Sequence, residues 1–174
     1  FGLQFSQREF SAVGEEAFIS ATDIDSLALF TLHSIDSGDL TYEFGLRGER
    51  RSLDQNRGRC DSSQTSWSGS TSAIWRFSEQ ANLLFSLAHS QRSATVEELY
   101  SNIGANCSEL PADMLVEHAA TQRFEIGLPN AGVEKSTNVE VGYRKHIGEV
   151  HAEVNIYYND IADYIYLANT ELEY

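Results

Sequence analysis

The side chains able to bind a metal ion or take part in catalysis concentrate in residues 90–130, which interrupt an otherwise regular alternation of polar and apolar residues. They are mostly oxygen donors, with one thiol and one imidazole: Cys107, Glu109, Asp113, Glu117 and His118. Carboxylates and imidazoles are donors that divalent metal ions commonly use in proteins. Residues 90–130 are therefore predicted to be the functional region of the molecule.

A short helix is predicted to order the beginning of this segment. Thr95 and Glu98 have the spacing of a capping box, in which the threonine accepts from a backbone N–H and the glutamate reaches back to the cap. Helical turns are expected from Val96 to Tyr100, and Glu97 and Glu98 are expected to serve the helix start rather than catalysis.

The rest of the chain has the alternation of β-strands. In residues 40–49, Leu40, Tyr42, Phe44 and Leu46 share one face, and polar or small residues occupy the other. So many charges within a strand are unusual in a soluble sandwich, whereas a barrel wall between lipid and a watery lumen requires this alternation. The pattern predicts an all-β fold, a transmembrane antiparallel β-barrel.

About seven strands are expected, all joined as neighbours. The facing of residues 27–35 stays open because both of its alternating sets are apolar, and the last strand is expected to run from Val150 to about Leu167 with an irregularity near Asn159 and Asp160. An odd number of antiparallel strands does not close a barrel, so residues 1–174 are interpreted as a section of a wall.

The connections between these strands alternate in length, as they do in outer-membrane barrels. The segment 62–72 is rich in serine and is predicted to be a mobile loop tip. The tight turns are residues 36–39, 78–82 and 147–149, and the long connections are residues 11–26, 50–72 and 93–136.

Composition excludes several classes of protein. The 174 residues contain no apolar run near the roughly 18 to 20 residues that a membrane helix needs. The net charge of −14 argues against nucleic acid as a partner, because phosphate binding needs clustered lysine and arginine. No signal peptide stands at Phe1, so either one was removed or the chain is an internal piece. Catalytic motifs are absent and no enzyme is predicted, although a Ser/His/Asp set at a barrel rim stays open.

Three motifs resemble the late-barrel signature of TonB-dependent outer-membrane receptors, particularly the branch associated with zinc uptake. They are QRSATVEELYSN (residues 91–102), HAATQRFEIGLPN (118–130) and EKSTNVEVGYR (134–144), and their order and spacing make the match specific. The similarity extends upstream through FSAVGEEAF (10–18) and LTYEFGLRGER (40–50). The chain departs from the pattern in Ser93 and Ala94, where relatives have Ala-Pro, and in an insertion over residues 103–117.

This resemblance implies a location and partners. The parent would be a barrel of about 22 strands in the outer membrane of a Gram-negative bacterium, with outer-membrane lipid around it and a plug in its lumen. The plug, which contacts the TonB complex, and the remaining strands would lie outside this chain. The transported ligand would be a zinc or other transition-metal ion, and no catalytic cofactor is implied.

His118 is the leading candidate for a metal ligand. It lies in the longest loop, follows Glu117 and occupies the histidine position of the family motif H-x-A-T. Glu16 and Glu15, in another outward loop, are candidate carboxylate donors, and imidazole with carboxylates suits Zn²⁺ better than Ca²⁺. The alternatives are a solvated loop histidine and a solvated acidic pair. A structural role is favoured for the other histidines: His33, His89, His146 and His151.

The two cysteines, Cys60 and Cys107, both fall in outward loops on the oxidising side of the predicted barrel. No C-x-x-C spacing points to a zinc ribbon or a redox site. A disulfide linking the loop of residues 50–72 to residues 93–136 is therefore predicted, and it would contribute roughly 4 kcal/mol in the chain-entropy model.

The main functional hypothesis is a transport receptor that captures a scarce solute for energised import. A passive porin or an adhesin-type barrel is the alternative from another class. A siderophore or haem receptor is a further alternative, but it would need aromatic and arginine contacts, for which the signature loop, residues 90–130, offers Tyr100 and Arg123.

Overall fold

A computed structural model describes residues 1–14, 17–55 and 60–169. Within this part of the chain, seven antiparallel strands form one sheet in sequence order, which confirms the predicted fold class and strand number. The strands are β1 (Gly2–Phe10), β2 (Thr22–Ser37), β3 (Leu40–Gln55), β4 (Ser62–Ser78), β5 (Ala81–Arg92), β6 (Glu134–Ile147) and β7 (Val150–Ala162).

Two-residue turns join three pairs of strands at one end of the sheet, at residues 38–39, 79–80 and 148–149. Gly38 and Gly148 have φ of +61° and +59°, backbone conformations that glycine adopts without steric cost. The longer connections lie at the other end, and the longest carries a helix α1 (Val96–Tyr100) and a 3₁₀ turn (Ala112–Met114). No helix among the described residues has the length and apolar character needed to cross a membrane.

The strands reach further toward the long connections than the alternation predicts. β3 continues to Gln55, and the serine-rich residues 62–72 belong to β4, so the prediction of a mobile loop tip there is wrong. Ser63 pairs with Ser52 and Thr65 with Arg50. Both faces are polar in this region, so periodicity does not reveal the strands, whereas backbone hydrogen bonding does not depend on side-chain polarity.

Two further predictions about strand regularity are wrong. β7 ends at Ala162 rather than near Leu167, and it pairs with β6 without a register shift through Asn159 and Asp160. The register shift lies instead between Trp75 and Ser78 in β4.

The pairing resolves which side of β2 faces which surface. Leu27 and Leu29 lie opposite Arg50 and Gly48, in the alternating set of β3 that includes Leu46. They therefore extend the apolar face, which is lined by large, exposed side chains that include Leu46, Trp75, Phe85, Val141 and Ile156. The other set of β2 faces the polar surface, because Ala28 pairs with Glu49 and Phe30 pairs with Arg47.

The buried core lies at one end of the sheet rather than along it. Ile24 and Leu53, from the polar face of β2 and β3, pack with residues of the β5–β6 connection. The core residues contributed by that connection are Ala94, Val96, Leu99, Tyr100, Ile103 and Ala131. The connection therefore folds back over the polar face instead of extending away from the sheet.

Replacing Phe85 with arginine tests the facing of the sheet. Phe85 lies on the apolar face between Ala73 and Val141, and the face is expected to contact lipid. Phe85→Arg should destabilise the folded protein by about 2–4 kcal/mol, as charged residues do on the lipid face of barrels. Urea unfolding in detergent and heat-modifiable electrophoretic mobility measure the effect.

Its matched control is Ser86→Arg, one residue along, where the side chain faces the polar surface between Ser72 and Glu140. This variant should assemble normally. Equal loss of folded receptor in both variants would contradict the assigned facing.

Candidate functional site

The β5–β6 connection, residues 93–133, forms a compact unit that we call the rim cap. Gln64 of β4 holds both of its ends: its side-chain oxygen accepts from Ala94 N at 2.9 Å, and its amide nitrogen donates to Ala131 O at 2.7 Å. Because Gln64 lies on the polar face, the cap is fixed over that face at one rim of the sheet.

Helix α1 begins with the predicted capping box. Glu98 N donates to Thr95 Oγ1 at 3.3 Å, and Thr95 N donates to Glu98 Oε2 at 2.8 Å. Leu99 and Tyr100 turn inward and are fully buried. Burial raises the pKa of Tyr100 to about 12, so this phenol stays neutral inside the cap at physiological pH. Tyr100 is thus a core residue and does not offer an aromatic surface at the rim.

Arg92, at the end of β5, joins the helix to both strand ends. Its guanidinium donates to both carboxylate oxygens of Glu98, at 2.9 and 3.0 Å, and to Glu134 Oε2 at 3.1 Å. Arg92 and Glu134 are paired across β5 and β6, so the two carboxylates and the guanidinium meet where the cap leaves and rejoins the sheet. A bidentate guanidinium–carboxylate pair adds directional specificity to the charge attraction.

Glu98 is more acidic than an ordinary glutamate. Burial by itself raises the pKa of its carboxyl, but hydrogen bonds from Arg92 and from the Thr95 backbone outweigh burial and lower the pKa below its usual 4.5. Glu98 is therefore ionised at neutral pH and carries both the cap hydrogen bond and the ion pair.

The motif HAATQRFEIGLPN, residues 118–130, packs directly on helix α1 through Gly127. A Cβ at this position would lie 2.5 Å from Leu99 O and 2.7 Å from Tyr100 N, distances that real side chains do not tolerate. The close approach lets Gly127 N donate to Ser101 O at 2.8 Å and Leu128 N donate to Glu98 O at 2.8 Å. Gly127 thereby satisfies helix-end carbonyls that would otherwise lack partners.

Asn102 is the central polar residue of the rim cap, and the sequence analysis did not single it out. Its side chain is fully buried and makes three hydrogen bonds: it donates to Val116 O at 2.9 Å and to Glu125 O at 3.0 Å, and it accepts from Val116 N at 2.9 Å. Its backbone N–H donates to Phe18 O at 2.8 Å. Its position at the end of QRSATVEELYSN is a weak signal, since nothing local indicates which distant carbonyls it binds.

The insertion is anchored by a disulfide. Cys60 and Cys107 are joined, with their Cα atoms 5.0 Å apart. Cys60 is buried in the core at the rim, so the bond ties the inserted residues of the cap to the segment that precedes β4. The insertion is therefore held against the sheet by a covalent link as well as by Asn102.

His118 forms a small polar cluster with two residues of its own motif. Its Nδ1 lies 3.0 Å from Glu125 Oε1 and 3.1 Å from Thr121 Oγ1, and Thr121 Oγ1 donates to Glu125 Oε1 at 2.9 Å. Phe18 contacts the ring edge-on, with centroids 5.1 Å apart. A carboxylate only accepts hydrogen bonds, so Nδ1 carries the proton, and in the neutral ring Nε2 carries the lone pair.

The other predicted ligands lie as follows. Glu117 is exposed, and the carboxylate that His118 contacts is that of Glu125. Glu109 and Asp113 are exposed in the inserted part of the cap, and Cys107 is in the disulfide. Glu15 and Glu16 lie outside the described residues. Within residues 1–14, 17–55 and 60–169, no three His, Cys, Asp or Glu side chains are grouped as a metal site.

A cleft of about 520 Å³ opens between the rim cap and the chain that follows β7. Glu97 and Glu125 line one side, and Tyr164 and Tyr166 line the other with their rings stacked 6.0 Å apart. Glu125 therefore connects the His118 cluster to an open, acidic and aromatic surface.

A wall with one apolar and one polar face, with short turns at one end and a folded cap at the other, has the layout of an outer-membrane β-barrel. Residues 1–172 match the family described as TonB dependent receptor-like, beta-barrel, and the chain belongs to that family. It forms part of the barrel of a TonB-dependent receptor in the Gram-negative outer membrane, which is a transporter and not an enzyme. Family membership implies energised import and interaction with TonB.

Outer-membrane barrels place their long loops outside the cell and their short turns in the periplasm. The rim cap accordingly lies at the extracellular mouth, over the lumenal face of β2 to β4. Four residues of the quoted motifs help to dock it there: Arg92, Glu98, Gly127 and Glu134.

Asn102→Asp should loosen the rim cap while keeping the size of the side chain. A carboxylate still accepts from Val116 N, but it loses both donors and faces the carbonyls of Val116 and Glu125. Leaving such buried groups unsatisfied should cost about 2–4 kcal/mol. Limited proteolysis of the full-length receptor should show faster cleavage in residues 103–117. Asn106→Asp is the matched control because Asn106 is exposed and its side-chain oxygen accepts from Ser108 N, which a carboxylate does equally well. Equal cleavage of the two variants would contradict this role.

Docking of the rim cap should weaken in acid because the pKa of Glu98 is lowered in the folded receptor. A lowered carboxyl pKa gives stability that is present above 4.5 and lost as the pH falls through the folded-state pKa. Protease resistance of the cap should therefore decline below about pH 4. Glu98→Gln should be weaker at pH 7, by about 1 kcal/mol for this partly exposed pair, and less sensitive to pH. The same decline in both proteins would show that other groups control it.

Proposed function

We propose that the receptor captures a transition-metal ion, zinc in the first instance, at its extracellular mouth, and that His118 is one of the protein donors. The observation that carries this proposal is the hydrogen bond between His118 Nδ1 and Glu125 Oε1 at 3.0 Å. Metal-ligating histidines generally donate their other ring N–H to a carboxylate or carbonyl, which fixes the tautomer and makes the ligating nitrogen more basic.

The neighbouring contacts support an oriented imidazole rather than a freely rotating loop histidine. Thr121 donates to the same carboxylate oxygen, and the ring edge rests on Phe18. The backbone closes around the residue as well, since His118 N donates to Arg123 O at 2.9 Å. A ring held on three sides presents its remaining nitrogen in one direction, as a ligand to a small ion must.

The remaining donors would come from elsewhere in the receptor. One imidazole does not complete a zinc site, which uses three or four protein donors. The candidates are Glu16 and Glu15, which precede β2 in the sequence, exposed Glu117, and residues of a plug beyond this chain. In this proposal Glu125 is a positioning residue, and the acidic cleft beside it raises the local concentration of cations without selecting among them.

A siderophore or haem is a weaker candidate for the cargo. Within the signature loop, Tyr100 and Arg123 are the candidate contacts for a large ligand, and Tyr100 is fully buried in the core of the cap. The stacked Tyr164 and Tyr166 provide an exposed aromatic surface, but the cleft on which they lie is acidic and disfavours an anionic ligand.

Zinc titration of the full-length receptor at pH 7 tests the proposal. His118→Ala should weaken zinc binding at least tenfold, and Glu125→Gln should weaken it by about 10- to 100-fold through loss of orientation. His89→Ala is the control, since His89 lies on the apolar face against Trp67 and should leave the affinity unchanged. Glu117→Gln and Glu16→Gln identify which carboxylates bind directly. Unchanged affinity in His118→Ala would remove His118 from the site and leave the cargo open.

A further inference from the structure

Two histidines face each other at the opposite end of the sheet from the rim cap. His146 of β6 and His151 of β7 are directly paired across the hairpin that closes at residues 148–149. Both share the polar alternation of their strands, with Arg144 and Glu153 as the next pair on that face, so they lie on the lumenal side.

The backbone brings these two side chains as close as a sheet allows. His146 N donates to Gln80 O at 2.7 Å, so its backbone N–H points away from β7. Paired residues whose backbone groups point away from each other have the shorter Cα separation of an antiparallel ladder, near 4.5 Å, and their side chains are nearest. The two-residue turn keeps this register, because a slip by one residue would send one ring to the other face.

The rings meet through like atoms. His146 Nδ1 contacts His151 Nδ1, and the ring centroids are 4.5 Å apart with the planes at 76°. The contact is a hydrogen bond in which one Nδ1–H donates to the lone pair of the other Nδ1, and a divalent ion would bind the two nitrogens by displacing that proton. Both rings are exposed, so an ion reaches them from the lumen without opening the structure.

The surroundings favour a cation of transition-metal type. The adjacent Arg144–Glu153 ion pair, at 3.1 Å, leaves little net charge beside the histidines, and the Glu153 carboxylate also accepts from Asn155 at 2.8 Å. Calcium and magnesium need oxygen ligands, whereas imidazole suits copper, nickel and zinc. Since no third His, Cys, Asp or Glu joins the pair within the described part of the chain, water would complete the coordination. Such an open site suits an ion that exchanges rather than a permanent structural ion.

We propose that His146 and His151 form a two-imidazole binding site for a divalent transition-metal ion at the periplasmic end of the lumen. The geometry of the hairpin carries this assignment, and it does not rest on zinc being the cargo at His118. The site lies where an ion passing through the lumen would leave it.

Copper is the most sensitive probe, because Cu²⁺ has the highest affinity in the divalent series and its electron paramagnetic resonance spectrum reports coordinated nitrogens. The experiment uses the full-length receptor carrying His118→Ala, which removes the candidate ligand at the other rim. One equivalent of Cu²⁺ should give a spectrum with two imidazole nitrogens. His146→Ala or His151→Ala should abolish the two-nitrogen signal and weaken copper binding at least tenfold. His33→Ala is the matched control, since His33 lies near another short turn but bonds to Thr31 and faces the apolar side.

Heat-modifiable mobility confirms that each variant is folded. If His146→Ala fails to assemble, His151→Gln decides the question, because it keeps a polar side chain on a fully exposed strand. Persistence of the two-nitrogen signal in the His151 variants, or its absence from the parent, would overturn the proposal. Loss of zinc binding in His118→Ala with an unchanged copper spectrum in His146→Ala would support the extracellular site and reject the periplasmic one.

Discussion

Main-chain hydrogen bonding between neighbouring strands is the interaction on which the rest of this structure depends. Among the described residues the sheet is covered at the rim by the cap, and elsewhere its lumenal face carries charged and hydroxyl side chains that do not form a core. In a lipid environment every backbone N–H and C=O needs an internal partner, and an antiparallel ladder supplies one from the adjacent strand. The ladder therefore continues past the apolar band, through the polar ends of β3 and β4, where side-chain packing contributes little.

The backbone of the rim cap is not part of the strand ladder, so its polar groups need other hydrogen-bond partners. A long connection over a lumen exposes backbone carbonyl and amide groups. In the rim cap these groups find hydrogen-bond partners in other parts of the cap and in the sheet. Gln64 holds both ends, Asn102 holds the inserted segment, and Gly127 allows the irregular segment around it to lie against the helix. The charged cluster at Arg92 adds orientation more than free energy, since the Arg92 side chain is 42% exposed and the charges are partly screened by water. The disulfide limits how far the insertion separates from the sheet.

The strand ladder and the docked rim cap together give the His118 cluster a rigid support. Docking of the cap fixes the segment from Val116 to Glu125, since Asn102 binds the backbone of both residues. His118 lies within that segment and is oriented by Glu125, whose own backbone is held by the same asparagine. The position of an ion-binding imidazole at the mouth would thus depend on the buried amide of Asn102, about 16 residues earlier in the chain, and not on the exposed loop around it.

The amino-acid sequence by itself determined the features that depend on short-range periodicity and on local chemistry. Alternation in residues 40–49 predicts the facing of β3, the spacing of Thr95 and Glu98 predicts the capping box, and the order of the motifs predicts the family. Each of these follows from residues within one strand or one helical turn, where side-chain direction is set by backbone geometry.

Only the tertiary structure decided the remainder, because it depends on partners far apart in the chain. Leu29 and Phe30 are both apolar, and only pairing with β3 shows which one faces the apolar surface. His118 follows Glu117 in the sequence, yet the turn at residues 119–122 folds Glu125 onto it instead. His146 and His151 look like two isolated residues near a turn until the register brings their rings together. In each case backbone hydrogen bonding determines which residues come into contact. Side-chain patterns do not encode that pairing, so the sequence does not distinguish among the possible partners.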